Sequence, residues 1–165
     1  MLGIVRNHTQ FGRDLAAFSK ENIRIVSNGH GFECGWLDGG CLIFAKGLSM
    51  WSMGEMEVHG LCATENNRLV VHHAICLWQD KLCIDAEGVC SKSEIPEKWR
   101  DMEEIGNSHL LPWKKCEPFS RIPFSAGLSI KLADSLRKKF GLFDEILFDD
   151  AIEKIGFTAS RFRFN

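Results

Sequence analysis

No run in this chain approaches the roughly 18 to 20 consecutive apolar residues that a membrane-spanning helix needs, so no spanning segment is expected. The opening residues, Met1 to Arg13, carry Arg6, His8 and Arg13 and lack the apolar centre of a signal peptide, so no leader is expected either. Charge of one sign is also missing. A net charge of -2 gives no long-range attraction to nucleic acid or to an anionic membrane. The small basic cluster Arg137-Lys138-Lys139 reads as a solvated helix face. There is no internal repeat, low-complexity tract or linker. Nor is there a cysteine pair at the C-x2-C or C-x4-C spacing usual for structural zinc. Cys34 and Cys41, and then Cys76, Cys83 and Cys90, are spaced seven apart, which is no recognised ligand spacing. No metal and no cofactor are expected.

What remains is an ordinary globular composition. The chain has 165 residues, 45% apolar and 25% charged, which suits one domain with a sizeable core. We expect a single domain over 1–165, with its core at about residues 30–90 and a helical C-terminal part at about 95–165. The seven cysteines are an odd count without a secretion signal, which points to free thiols in a reducing compartment and to a cytoplasmic protein.

Apolar periodicity predicts a helix over residues 9 to 20, through Phe11, Leu15 and Phe18. Ile23 to Val26 reads as a short strand or extended link, and Asn28-Gly29-His30-Gly31 as a loop. A second helix runs from about Gly40 to about Met53, with Gly47 permitting close packing. Strands follow at Glu57 to Thr64, Leu69 to Trp78 and Lys81 to Ala86, joined by short turns. Short connections imply an antiparallel meander, and the nearly continuous apolar runs imply a sheet covered on both faces. Further helices are expected from Ile95 to Ile105, from Ser125 to Phe140 and from Phe143 to Ile155.

The stretch that organises this pattern is Asp38-Gly39-Gly40-Cys41, ahead of Leu42-Ile43-Phe44-Ala45. Asp38 is the expected N-cap, which puts Cys41 in the first turn of a helix. Free N–H groups and the positive end of the macrodipole favour an anion at such a position. The glycines allow a sharp turn and leave room beside the sulfur for another molecule. Downstream, a strand carries His72 and His73, and the next carries Asp85 after Leu82-Cys83-Ile84. A buried carboxylate is costly unless paired, and a histidine across the hairpin is its natural partner. Cysteine, histidine and aspartate in this order suit nucleophilic catalysis. The sulfur attacks an acyl carbon, the imidazole moves the proton, and the carboxylate orients the ring. Side chains alternate along a strand. A two-residue turn at Gln79-Asp80 therefore puts Asp85 on the face of His72, and an odd turn or a bulge puts it on the face of His73.

The string Asp38-Gly39-Gly40-Cys41 before a helix, then His73-Ala74-Ile75 and Ile84-Asp85-Ala86-Glu87-Gly88, resembles the core of the papain-like cysteine-enzyme superfamily. It is most similar to the transglutaminase and arylamine N-acetyltransferase order. The resemblance covers about residues 36–90. In that family the histidine opens the apolar stretch, which favours His73 over His72. Papain-type members carry a glutamine six residues before the cysteine for the oxyanion hole, and here that position is Gly35. The hole would then use the backbone N–H of Cys41 or another donor, with Asn28 and Trp36 as weaker candidates.

The expected fold is α+β: a papain-like, transglutaminase-like core in which the cysteine helix packs on a small antiparallel sheet, followed by C-terminal helices. The expected function is a thiol-dependent hydrolase or acyl transferase acting on an amide or thioester of a protein or peptide. Its catalytic residues would be Cys41, His73 and Asp85, with Trp36, Gly40 and His72 as substrate contacts. Two other readings stand beside it. One is a non-catalytic interaction protein on the same fold. The other is a metal module built on His72, His73 and nearby cysteines, which adjacent histidines on opposite strand faces disfavour.

Overall fold

A computed structural model describes residues 4–6, 8–27, 35–37, 39–103, 107–143 and 146–148. In chain order the elements are β1 (Ile4–Arg6), α1 (His8–Glu21), α2 (Arg24–Ser27), α3 (Cys41–Trp51), β2 (Met56–Glu65), β3 (Arg68–Trp78), β4 (Leu82–Asp85), β5 (Gly88–Ser91), α4 (Ile95–Glu103), β6 (Ser108–Pro112), α5 (Trp113–Cys116), a 3-10 turn (Glu117–Phe119), α6 (Ala126–Phe140) and β7 (Ile146–Phe148). Strands β2 to β6 form one antiparallel sheet in the order β5-β4-β3-β2-β6, and β1 pairs with β7 in parallel. The fold is α+β.

Alternation along the strands divides the core into two layers. On one face Ala74, Cys76, Trp78 and Ile84 pack with α1, α3 and α6. On the other, Leu61, Ala63, Ile75, Leu77 and Cys83 pack with Ile95 and Trp99 of α4. Both faces are therefore covered, as the continuous apolar runs predict.

Helix α3 is held by β3 and by α6. The Cys76 thiol donates to the Ala45 carbonyl at 3.1 Å, tying α3 to β3. The Ser129 hydroxyl donates to the Ile43 carbonyl at 3.1 Å, tying it to α6. A Cβ on Gly47 would lie 2.6 Å from Leu132 Cδ2, so glycine is what lets α6 sit this close.

Three expectations are corrected. Residues Ile23 to Val26 are not extended: α2 begins at Arg24, after Ile25 N–H bonds back to the Asn22 carbonyl at 2.9 Å, and Ile25 packs against the core from that turn. The helix expected over 143–155 is replaced at Ile146–Phe148 by β7, whose partner β1 lies at the far end of the chain. Residues 149–155 fall outside the described part. The cap of α3 is Gly40, with no side-chain cap bond, while Asp38 lies outside the described residues. Strands β5 and β6 were not foreseen from the sequence; both are short and only half-buried along most of their length.

Candidate active site

Cys41 is the first residue of α3. The turn leading into it depends on two glycines for different reasons. Gly39 has a φ of 111°, where a side chain is strained. Gly40 is packed so tightly that a Cβ would come within 3.0 Å of the Gly35 carbonyl oxygen and of Trp36 Cα. Beside Gly40, then, the space expected for a second molecule holds the Gly35–Trp36 backbone. Trp36 is itself a core residue. Its indole N–H donates to the Ser19 carbonyl at 2.7 Å, and its ring meets Phe44 edge-on at 5.1 Å.

Strand β3 brings up the histidines. Leu61 pairs with His73 and Cys62 with Val71, so His72 is the extra residue of a β-bulge. A bulge re-aims neighbouring side chains, and here it separates the two rings by partner. His72 Nε2 sits 2.8 Å from Glu65 Oε1, toward the hairpin tip. His73 Nε2 sits 3.6 Å from Asp85 Oδ2.

The register explains the second contact. Trp78 pairs with Leu82 and Cys76 with Ile84, which leaves Gln79, Asp80 and Lys81 in the turn. Three is odd, so Asp85 shares a face with His73 as its diagonal neighbour. Gln79 and Asp80 take φ of 52° and 56° to make this turn.

Asp85 is hydrogen-bonded at one oxygen and meets only longer charge contacts at the other. Its Oδ1 accepts from the Glu87 backbone N–H at 2.8 Å. Its Oδ2 faces His73 and, at 3.7 Å, Lys98 Nζ, which also contacts Glu87 Oε2 at 2.5 Å. The turn carrying Asp85 is clamped by α1. Ser19 Oγ donates to the Ala86 carbonyl at 2.6 Å. Gly88, at φ 124°, packs where a Cβ would lie 2.7 Å from the Gly12 carbonyl oxygen.

Cys41, His73 and Asp85 are 3%, 1% and 6% exposed. Trp99 of α4 covers the imidazole, with ring centroids 4.1 Å apart and planes inclined by 31°. Burial alone would pull the His73 pKa down. The Asp85 carboxylate and the Cys41 sulfur, both close to the ring, outweigh it and raise the pKa to about 9. The Nε2–Oδ2 separation is slightly long for a made hydrogen bond, and neither ring nitrogen makes one of ordinary geometry. The raised pKa therefore comes from a long, imperfect hydrogen-bonding contact with Asp85 first, then from Cys41, with the bare charge attraction of Asp85 adding least. Burial pushes Asp85 up, but His73, Lys98 and the Glu87 N–H more than offset it and hold the carboxyl below the usual range. For Lys98, burial lowers the pKa, while Asp85 and Glu87 raise it further and leave the ammonium charged.

The six described cysteines are all free thiols. Burial pushes Cys62 and Cys83 to about 12 and Cys90 to about 11, and pushes Cys76 and Cys116 up as well. Those five stay protonated and unreactive near neutral pH. Among the described residues, no group of three or more His, Cys, Asp or Glu side chains is arranged to hold a metal ion. No described helix is long and apolar enough to cross a membrane.

The structure thus brings Cys41, His73 and Asp85 together, sends His72 to Glu65, and buries Trp36 and Gly40 in the core. Asn28 lies outside the described residues. Sequence reasoning missed Lys98 and Trp99. Their signal was present in the helix start Ile95-Pro96-Glu97, because Trp99 lies one turn on from Ile95 on the apolar face. What was missing was the knowledge that this helix crosses the sheet over His73. Comparisons with family models, with curated proteins and with solved structures find no match for this chain.

Proposed function

We propose that the chain is a thiol-dependent hydrolase or acyl transferase, with Cys41 as nucleophile, His73 as its acid–base partner and Asp85 orienting the ring. One observation carries the reading: the buried His73 ring has the Asp85 carboxylate 3.6 Å from Nε2, and Asp85 and the Cys41 sulfur at the head of α3 are the two groups that raise its pKa. With Nε2 turned to Asp85, Nδ1 is the nitrogen left for the sulfur. With its pKa raised to about 9, His73 already carries the proton near neutral pH, so the sulfur attacks the carbonyl carbon of an amide or thioester from an ion pair with the imidazolium. The imidazolium then protonates the leaving group, and water or an amine resolves the thioester that remains. Asp85 stays ionised throughout and stabilises the imidazolium, as its lowered pKa requires. The N–H groups of the first turn of α3, that of Cys41 included, are the donors available to a developing oxyanion.

A cysteine helix packed on an antiparallel sheet whose successive strands supply histidine and aspartate supports a papain-like, transglutaminase-like core. Six free thiols support a cytoplasmic setting, and we take the substrate to be a protein or peptide. A second reading is favoured by one specific feature. The three residues are almost fully buried, which suits an interaction protein that keeps the arrangement for stability. Brief treatment with dilute iodoacetamide near pH 6, followed by peptide mapping, separates the two. The enzyme reading predicts modification at Cys41 ahead of every other cysteine, lost in His73→Ala. Uniform or absent labelling favours the interaction protein.

A further inference from the structure

At the far end of β3, the β2–β3 hairpin tip and the 3-10 turn after α5 enclose an open groove of 940 Å³. Its size lies in the range of sites that hold several residues of a ligand rather than one side chain. Each wall contributes one arginine, Arg68 from the hairpin and Arg121 from beyond the turn; both are exposed, and neither has an acidic partner among the described residues. Glu65 is the one acid on the walls, and it faces His72 at 2.8 Å. Phe119, 55% exposed, supplies an apolar surface in the same groove.

Both walls are built stiff. Glu65 pairs with Arg68 across Asn66 and Asn67, whose φ of 48° and 62° make the mirror-image turn that holds a hairpin tightly. On the other side Pro118 sits within the 3-10 turn, and the Ser120 hydroxyl accepts from the Ile122 N–H at 3.1 Å. The arginines are therefore presented from fixed backbone, which lowers the ordering cost of binding.

We propose that this groove is a docking site for an acidic peptide segment of a partner protein, with carboxylates on Arg68 and Arg121 and an apolar side chain against Phe119. Guanidinium forks match carboxylates in two-point geometry. The groove's own charge is positive although the chain's net charge is -2, so complementarity, and not bulk attraction, selects the ligand. The inference stands apart from the catalytic reading, because Cys41 takes no part in the groove.

The test is fluorescence anisotropy of a fluorescein-labelled peptide carrying Glu-Phe-Glu in a Gly/Ser frame, measured against the full chain. Saturable binding is expected, and it should weaken as NaCl rises from about 50 to about 500 mM. The double variant Arg68→Glu/Arg121→Glu should lose about a hundredfold in affinity, because each of the two charge-assisted contacts carries about tenfold. Phe119→Ala should lose affinity while keeping the salt dependence. All three positions are exposed, so circular dichroism should be unchanged, and Cys41→Ser should bind like the wild type. Equal binding by the double variant, equal binding of a Lys-Phe-Lys peptide, or no saturable binding would overturn the proposal. So would displacement by inorganic phosphate as efficient as by unlabelled peptide, which would mark a simple anion site.

Discussion

Replacing Asp85 by asparagine should change how stability depends on pH, and by an amount the site itself sets. In the folded chain His73 has a pKa of about 9, against about 6.5 for an unperturbed histidine. A group whose folded pKa is raised stabilises fully below its unfolded pKa and loses that contribution as pH climbs through the folded value. The window here is therefore about 6.5 to 9. At roughly 1.4 kcal/mol per unit, the imidazolium contributes on the order of 3 kcal/mol at pH 6 and little above pH 9. Asp85 is the main source of that contribution, because it offsets the burial that would otherwise keep the ring neutral. Asp85→Asn keeps the shape and an oxygen for the Glu87 N–H, but removes the charge. Urea unfolding of the wild type should therefore lose about 2 kcal/mol or more between pH 6 and pH 8.5, and the variant about 1 kcal/mol or less. The raised thiols of Cys62, Cys76, Cys83, Cys90 and Cys116 also cost stability at high pH. The Asp85 charge adds to the rise at Cys76, Cys83 and Cys90, but burial is the larger cause and keeps all five protonated up to about pH 8.5 in both proteins, so their cost is nearly the same in each. Parallel pH profiles for the two proteins would refute the charge contact between His73 and Asp85.

Other substitutions test the frame around the site. Gly47→Ala should gain up to about 1 kcal/mol in helix propensity yet lose net stability by about 1 to 2 kcal/mol in chemical denaturation, since its Cβ meets Leu132 at 2.6 to 3.1 Å. Leu132→Ala in the same background should relieve the loss through non-additive coupling. Gly88→Ala faces both a φ of 124° and the Gly12 carbonyl oxygen at 2.7 Å, so its melting temperature should fall by more than that of Gly47→Ala. Lys98→Met removes a cation from beside Asp85 Oδ2. The His73 titration, followed by NMR, should move to higher pH as the carboxylate is left to the imidazole alone, and an unmoved titration would show that Lys98 serves only Glu87.

Much of this arrangement was legible because it is local. A cysteine after two glycines, an apolar helical run and strands with short turns each carry their own pattern, and α1, α3, β2, β3, β4 and α6 follow it. The pairing of His73 with Asp85 turned on one number, the length of the turn after Trp78. That length depends on Lys81 joining the turn rather than the strand, which composition does not decide. Elements defined by distant partners were not legible. Ile146–Phe148 resembles part of a helix until β1 is known to lie alongside it, and β6 exists because β2 offers an edge. The surroundings of Trp36 were not legible for a related reason: a tryptophan near a cysteine looks available to substrate, and only the fold shows its indole N–H bonded to the Ser19 carbonyl and its ring against Phe44.

The central claim is that Cys41 can carry an acyl group. Incubating the purified chain with p-nitrophenyl acetate and weighing it by intact mass spectrometry tests this without knowledge of the natural substrate. We predict a burst of nitrophenol, one acetyl group per chain at early times, its mapping to Cys41, and its loss in both Cys41→Ser and His73→Ala. Acetylation spread over several residues, or none above the uncatalysed rate while the variants remain folded, would contradict the claim and leave the buried arrangement a structural one.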